Sequence, residues 1–204
     1  MNFFMNYEEA VAYIEETPKF TTKNKMEHTK ECLKRLGDPQ DKFRVIHVAG
    51  TNGKGSTCAF LTSVLREAGY SCGLFTSPHL VVINERFQIN EKNIDDETFL
   101  RAFCKVKALA DELVEEGNYH PTYFEFLFLM GMVIFAEAGV DYVTLETGLG
   151  GRLDVNHCCG ESGSLCDHIH QPRSYAVSWK YSFRDRRREG RDHGAGCSGD
   201  LRWK

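Results

Sequence analysis

The chain has 204 residues, of which 42% are hydrophobic and 26% charged, the balance of one globular domain, or one domain plus an appendage. A formal net charge of -4 argues against a nucleic-acid surface. The first residues, Met1 to Glu9, are acidic rather than basic, which argues against a signal peptide, and the most apolar stretch, Tyr123 to Ala136, is too short to span a bilayer; the expectation is a cytoplasmic protein that engages neither membrane nor nucleic acid.

In chain order, residues 7–16 are expected to form a short helix and Thr29 to Leu36 a second, ended by Gly37-Asp38-Pro39. Phe43 to Ala49 is apolar and β-branched, as a buried strand is, and runs directly into Gly50-Thr51-Asn52-Gly53-Lys54-Gly55-Ser56. The helix that follows carries Phe60, Leu61, Val64, Leu65 and Ala68 on one face and stops at Gly69. Tyr70 to Thr76 reads as a second strand. Asp95 and Asp96 can cap a helix whose apolar positions, Phe99, Phe103, Val106, Ala110 and Leu113, alternate spacings of four and three. A buried helix over residues 123–138 leads into a third strand, Val140 to Glu146. Strands alternating with helices imply a parallel sheet in an α/β domain.

From Val155 to Lys204 there is no sustained period of 2 or 3.6, and Arg184 to Arg191 is a charge run, so by pattern this segment is disordered. Cys158, Cys159, Cys166 and Cys197 gather there beside His157, His168, His170 and His193, without the paired Cys-x-x-Cys framework of a zinc site. Cys32, Cys58, Cys72 and Cys104 are scattered singly, as buried small hydrophobes are.

The segment from Gly50 to Ser56 has the context of a phosphate-binding loop, between a strand and a helix. Its glycines let backbone N–H groups turn around phosphate oxygens, the helix N-terminus adds partial positive charge, and Lys54 adds a full one. Gly55 separates Lys54 from the hydroxyl of Ser56, where the common pattern has none between. Glu146 ends a strand at the carboxyl edge of the sheet, where ligands bind, and offers the oxygen a hard cation prefers. Ser77, taken alone, reads as a turn residue before Pro78. His79 reads as a hydrogen-bonding loop residue.

Taken with Thr76-Ser77-Pro78-His79-Leu80, Asn84-Glu85-Arg86, the run from Glu146 to Asp154 and Lys19-Phe20-Thr21, this loop resembles the folylpolyglutamate/dihydrofolate synthases, relatives of the cell-wall Mur ligases. The blocks occur in the family's order over residues 1–154. The resemblance implies a three-layer, parallel-sheet α/β phosphate-loop domain. It implies ATP held by Asn52, Gly53, Lys54, Gly55 and Ser56, Mg²⁺ held by Ser56, Ser77 and Glu146, and catalytic roles for Lys54 and Glu146. It also implies a pteridine pocket lined by Thr122, Tyr123, Phe124, Glu125, Leu153, Asp154 and Val155. The reaction implied is ATP-dependent amide synthesis: a carboxylate of dihydropteroate or a reduced folate becomes an acyl phosphate, which the amine of L-glutamate attacks. The protein would act as a monomer on these small molecules.

In that family the block ending at Asp154 is followed by Ala-Thr-Asn, a buried strand, an Asp-His pair that completes the Mg²⁺ site and a Glu-Lys-Ala-Gly-Ile segment. None of these is present. Read one base further along, however, codons for Asp167 to Ala176 can spell Ile-Thr-Ser-Ile-Ser-Leu-Asp-His-Met, and those for Arg184 to His193 can spell Glu-Ile-Ala-Gly-Glu-Lys-Ala-Gly-Ile. Residues 155–204 are therefore expected to be an out-of-frame tail, the ATP-binding domain of residues 1–154 to be incomplete, and the glutamate-binding domain to be absent. On that expectation the chain as written is inactive. The alternatives are a non-catalytic nucleotide-binding remnant and a Mur-type amino-acid ligase, the latter disfavoured by the Ser77-Pro78-His79 and Gly150 to Asp154 blocks.

Overall fold

Local chemistry sets most of the helix boundaries. The structure, a computed structural model, describes residues 5–19, 26–50, 52–148 and 165–169. Helix α1 (Tyr7–Glu16) opens on a capping box: the Asn6 side chain accepts from the Glu9 amide at 2.8 Å, and the Glu9 carboxylate accepts from the Asn6 amide at 2.9 Å. Helix α2 (Met26–Arg35) buries Thr29, Cys32 and Leu33. Strand β1 (Arg44–Gly50), helix α3 (Lys54–Glu67) and strand β2 (Cys72–Phe75) follow. A 3₁₀ turn (Ile83–Arg86) leads into strands β3 (Phe87–Ile89) and β4 (Lys92–Asn93). Helix α4 (Asp96–Glu115) starts where the Asp95 carboxylate accepts from the Thr98 amide at 2.8 Å. Helix α5 (Tyr123–Ala138) ends at Gly139, whose φ of 63° is the left-handed conformation of a helix C-cap. Strands β5 (Tyr142–Glu146) and β6 (Leu165–Ile169) complete the set among the described residues.

The six strands form one sheet in the order β4-β3-β2-β5-β1-β6. Strands β2, β5, β1 and β6 are mutually parallel, while β3 and β4 add an antiparallel hairpin to one edge, so the sheet is mixed rather than wholly parallel. The hairpin turns at Asn90 and Glu91, both at positive φ (51° and 65°).

Side-chain alternation assigns the layers. Val45, Phe75, Val143 and Leu145 face a large core built with α1, α2, α4 and α5. Ile46, Val48 and Leu74 face α3 and pack on Cys58 and Leu61. The result is three layers, with α5 so apolar that Phe126 through Met130 are all fully enclosed.

One expectation needs revision, and the structure adds one strand within the segment read as a tail. The α3 face toward the sheet is not the one that apolar spacing suggests: Cys58 and Thr62 are buried, whereas Phe60 is 75% and Val64 64% exposed. Thr62 reaches the sheet through a hydroxyl contact to Thr144 at 3.3 Å, so a polar pair occupies the contact line and turns the larger apolar side chains outward. Residues 165–169, in a segment without strand periodicity, nevertheless pair with β1, His47 opposite Leu165 and Gly50 opposite Ile169. The bare edge of β1 supplies the backbone partners that their own pattern does not. The rest of the tail reading lies outside the described residues, including Cys158, Cys159 and Cys197. No helix among the described residues is long and apolar enough to cross a membrane.

Candidate functional site

The loop between β1 and α3 is built by backbone conformation. Gly53 caps α3 with φ 75°, a left-handed value that an L side chain strains to adopt, and α3 begins at Lys54. Gly55 and Ser56 lie in the first turn, whose amides have no intrahelical acceptor. That turn contains no acidic residue to occupy its positive end. Asn52 and Ser56 are exposed and Lys54 is half-buried. Residue 51 is outside the described set.

Register then brings the expected acid to this loop. Val48 pairs with Glu146 and Phe75 with Leu145, so the carboxyl ends of β1, β5 and β2 lie side by side. Glu146 is only 7% exposed. Its Oε2 accepts from the Ser77 amide at 3.1 Å. A Cβ on Gly55 would stand 3.7 Å from Oε2 and 3.9 Å from Oε1, so the first turn of α3 faces this carboxylate with no side chain between them. The structure thus gathers Gly55, Ser77 and Glu146, which are far apart in sequence. Among the described residues no group of three or more His, Cys, Asp or Glu side chains forms a metal cluster.

The four residues from Thr122 to Glu125 divide their duties. Glu125 accepts from both the amide and the hydroxyl of Thr122, each at 2.7 Å, and from the Thr29 hydroxyl at 3.2 Å. It is 6% exposed, and these bonds cap α5 and tie it to α2. Tyr123 and Phe124 are half-buried. The Tyr123 ring takes the Arg86 guanidinium at 5.6 Å and the Lys19 ammonium at 5.9 Å from its centroid. Phe124 packs 5.9 Å from Phe75 and against the backbone of Gly148. Leu153, Asp154 and Val155 lie outside the described residues.

Arg86 is more central than its sequence context suggests. It is 5% exposed, donates from Nε to His79 Nδ1 at 2.9 Å, and reaches the Tyr123 hydroxyl at 3.4 Å. Burial, and then the Arg86 charge, push the His79 imidazole below its ordinary value. Beside it, Glu85 accepts backbone amides from Leu80 at 2.7 Å, Val81 at 3.0 Å and Val82 at 3.1 Å. These bonds fix the loop after Ser77 and present Leu80 to solvent. The only sequence signal for both residues is the Asn84-Glu85-Arg86 block.

No family model matches the chain. Over 152 residues it is 43% identical to the dihydrofolate synthase/folylpolyglutamate synthase of Bacillus subtilis, covering 74% of this chain and 35% of that protein. Over 162 residues it is 40% identical to a folylpolyglutamate synthase of Arabidopsis thaliana, covering 75% of this chain and 26% of that one. Among solved structures, the folylpolyglutamate synthase of Thermotoga maritima superposes with a TM-score of 0.70 at 33% identity, over 80% of this chain and 39% of the other. An FPGS–AMPPCP–folate complex gives 0.71 at 35% identity, over 75% and 38%. E. coli FolC in complex with DHPP and ADP gives 0.67 at 34%, over 76% and 36%. The chain spans roughly a quarter to a third of the length of these curated relatives.

Proposed function

Because the chain belongs, over about three-quarters of its length, to the folylpolyglutamate synthase/dihydrofolate synthase family, we propose that it carries the ATP- and Mg²⁺-binding half of a ligase joining L-glutamate to dihydropteroate or reduced folates. The observation that carries this reading is the Gly55–Glu146 approach: a glycine-rich helix start facing a buried carboxylate across a space that a Cβ would begin to fill. Phosphates suit the first element and a hard cation the second.

The donors fit Mg²⁺, since Ser56, Ser77 and Glu146 all supply oxygen. Held by them, the ion would supply positive charge to phosphate oxygens. Lys54 and the first-turn amides of α3 orient the triphosphate and spread the charge of the moving phosphoryl group, where positioning and electrostatics account for most of the catalysis. The acceptor carboxylate becomes an acyl phosphate. The glutamate amine then attacks its carbonyl carbon, and inorganic phosphate leaves. Tyr123 and Phe124 offer half-buried aromatic faces for the pteridine. Glu125 and Thr122 hold those faces in place by capping α5. A relative solved with AMPPCP and folate, and another with DHPP and ADP, support this choice of ligands.

Calorimetric titration of the 204-residue chain with Mg·ATP tests the site. Binding should require Mg²⁺, and Lys54→Ala or Glu146→Ala should weaken it at least roughly tenfold without unfolding the chain, as expected for a lost charge-assisted contact. Unchanged affinity in both variants overturns the assignment. The absence of the family's Asp-His and Glu-Lys-Ala-Gly-Ile segments favours a second reading, nucleotide binding without turnover. An amide-forming assay with ATP, glutamate and dihydropteroate or a reduced folate separates the two.

A further inference from the structure

The residue after Glu146 is gripped from the opposite face of the sheet. Thr147 is 4% exposed and so is His47 on β1. The Thr147 amide and hydroxyl both donate to the Val48 carbonyl at 2.9 Å. The same hydroxyl oxygen lies 2.7 Å from His47 Nε2. The His47 ring nitrogen bonds this hydroxyl as donor or acceptor according to its tautomer, so Val48 and His47 hold the Thr147 side chain from two sides. The histidine thus helps fix the rotamer of Thr147, and the Thr147 amide bond to Val48 closes the Val48–Glu146 pair, the last of the β1–β5 ladder. One residue further, Gly148 lies against the ring of Phe124.

Strand alternation puts His47, Leu145 and Thr147 on the α5 side, so the Glu146 carboxylate emerges on the α3 side, toward Gly55. Glu146 is the last residue of β5, and without the Thr147 tie its pairing with Val48 would loosen and leave it free to swing. We infer that His47 and Thr147 are positioning residues that hold the Glu146 carboxylate against the Ser77 amide and the first turn of α3. Its effect on metal affinity rests on the reading of Glu146 as a Mg²⁺ ligand; the positional claim does not.

Thr147→Val keeps the volume and removes the hydroxyl, and Thr147→Ser keeps the hydroxyl. The Ser77 amide, which bonds the Glu146 carboxylate, is a direct reporter in the full chain with no metal or nucleotide added. In Thr147→Val its NMR resonance should shift and its hydrogen exchange accelerate, as in a Glu146→Gln control, and Thr147→Ser should restore it. The Mg²⁺ concentration that half-saturates ATP binding should rise roughly tenfold in Thr147→Val, the scale on which groups that orient a ligand act. A merely structural threonine would lower stability and leave both readouts alone. If Thr147→Val does not fold, Thr147→Ala, which introduces no steric conflict, replaces it. A Ser77 amide that responds to Glu146→Gln but not to loss of the Thr147 hydroxyl overturns the inference. Failure of the wild-type chain to bind Mg·ATP overturns the ligase reading instead, and the Ser77 readout still decides this one.

Discussion

Gly148→Ala should test how tightly the chain leaving Glu146 is confined. A Cβ there would lie 2.6 Å from Phe124 Cε2, 2.7 Å from Cζ and 3.2 Å from Cδ2. Carbon atoms rest about 3.5–4.0 Å apart, so ring or backbone must retreat by about 1 Å. The backbone has little room, because Thr147 is bonded to Val48 on its preceding side. The ring is backed by Phe75, which is fully buried. Overpacking of this kind costs about 1–3 kcal/mol, and the partial exposure of Phe124 gives the ring some escape, which places this substitution in the lower half of that range. Urea unfolding at 25 °C of wild type, Gly148→Ala, Phe124→Leu and the double variant measures the coupling. With the ring removed, the alanine should cost less than about 0.5 kcal/mol, and the two substitutions should be strongly non-additive. Equal costs in both backgrounds would show that the ring is not what excludes a side chain at Gly148.

Thr122→Ala removes the N-cap of α5 and should cost about 1 kcal/mol, with Thr122→Ser recovering most of it; a thermal-unfolding midpoint that ignores both changes contradicts the cap. The amides of Leu80, Val82 and Val81 hold the Glu85 carboxyl below its ordinary value of 4.5. Because the folded value is the lower one, the stability that Glu85 adds is complete above about pH 4.5 and is lost as pH falls through the folded value. Glu85→Gln should therefore flatten the acid-unfolding curve below pH 4.5, and an unaltered slope refutes this. Burial, followed by the nearby Glu125 charge, pushes the Cys32 thiol up to about 12, whereas Cys104 is exposed. Alkylation at pH 8 with peptide mapping should modify Cys104 in the native chain and Cys32 only after unfolding; rapid native labelling of Cys32 would count against that environment.

Long periodic segments were the most legible parts of the sequence. Phe99, Phe103, Val106, Ala110 and Leu113 are all buried on α4, as their spacing implies. The strand–loop–helix context of Gly50 to Ser56 appears in the structure as β1 and α3. Shorter signals failed for identifiable reasons. The β3–β4 hairpin turns through Asn90 and Glu91, and a glutamate in left-handed conformation is not a residue from which such a turn is read. The α3 face was misjudged because hydrophobicity alone does not register a buried threonine pair. Thr122 and Glu125 are spaced as a capping box, a signal present in the sequence and masked by the pocket role that the resemblance implies. His47 and Thr147 carry no sequence signal for their pairing, since register alone makes them neighbours.

The position of β1 governs the order in which the molecule can assemble. It is the first strand in the chain, yet its partners are β5 on one side and β6 on the other. Arg44 waits for Tyr142, and His47 for Leu165. On a ribosome, the phosphate loop would be complete early while the strand beneath it still has two bare edges. Helices α4 and α5 can form meanwhile from local contacts, but closing the sheet requires a long loop to be fixed before any ladder bond compensates for it. Folding should therefore be slow at that step, with apolar Val45, Ile46 and Val48 transiently available to other chains. Here the most functionally committed segment is made early and secured late, so synthesis rate and chaperone access would act on the loop-bearing strand before they act on anything else.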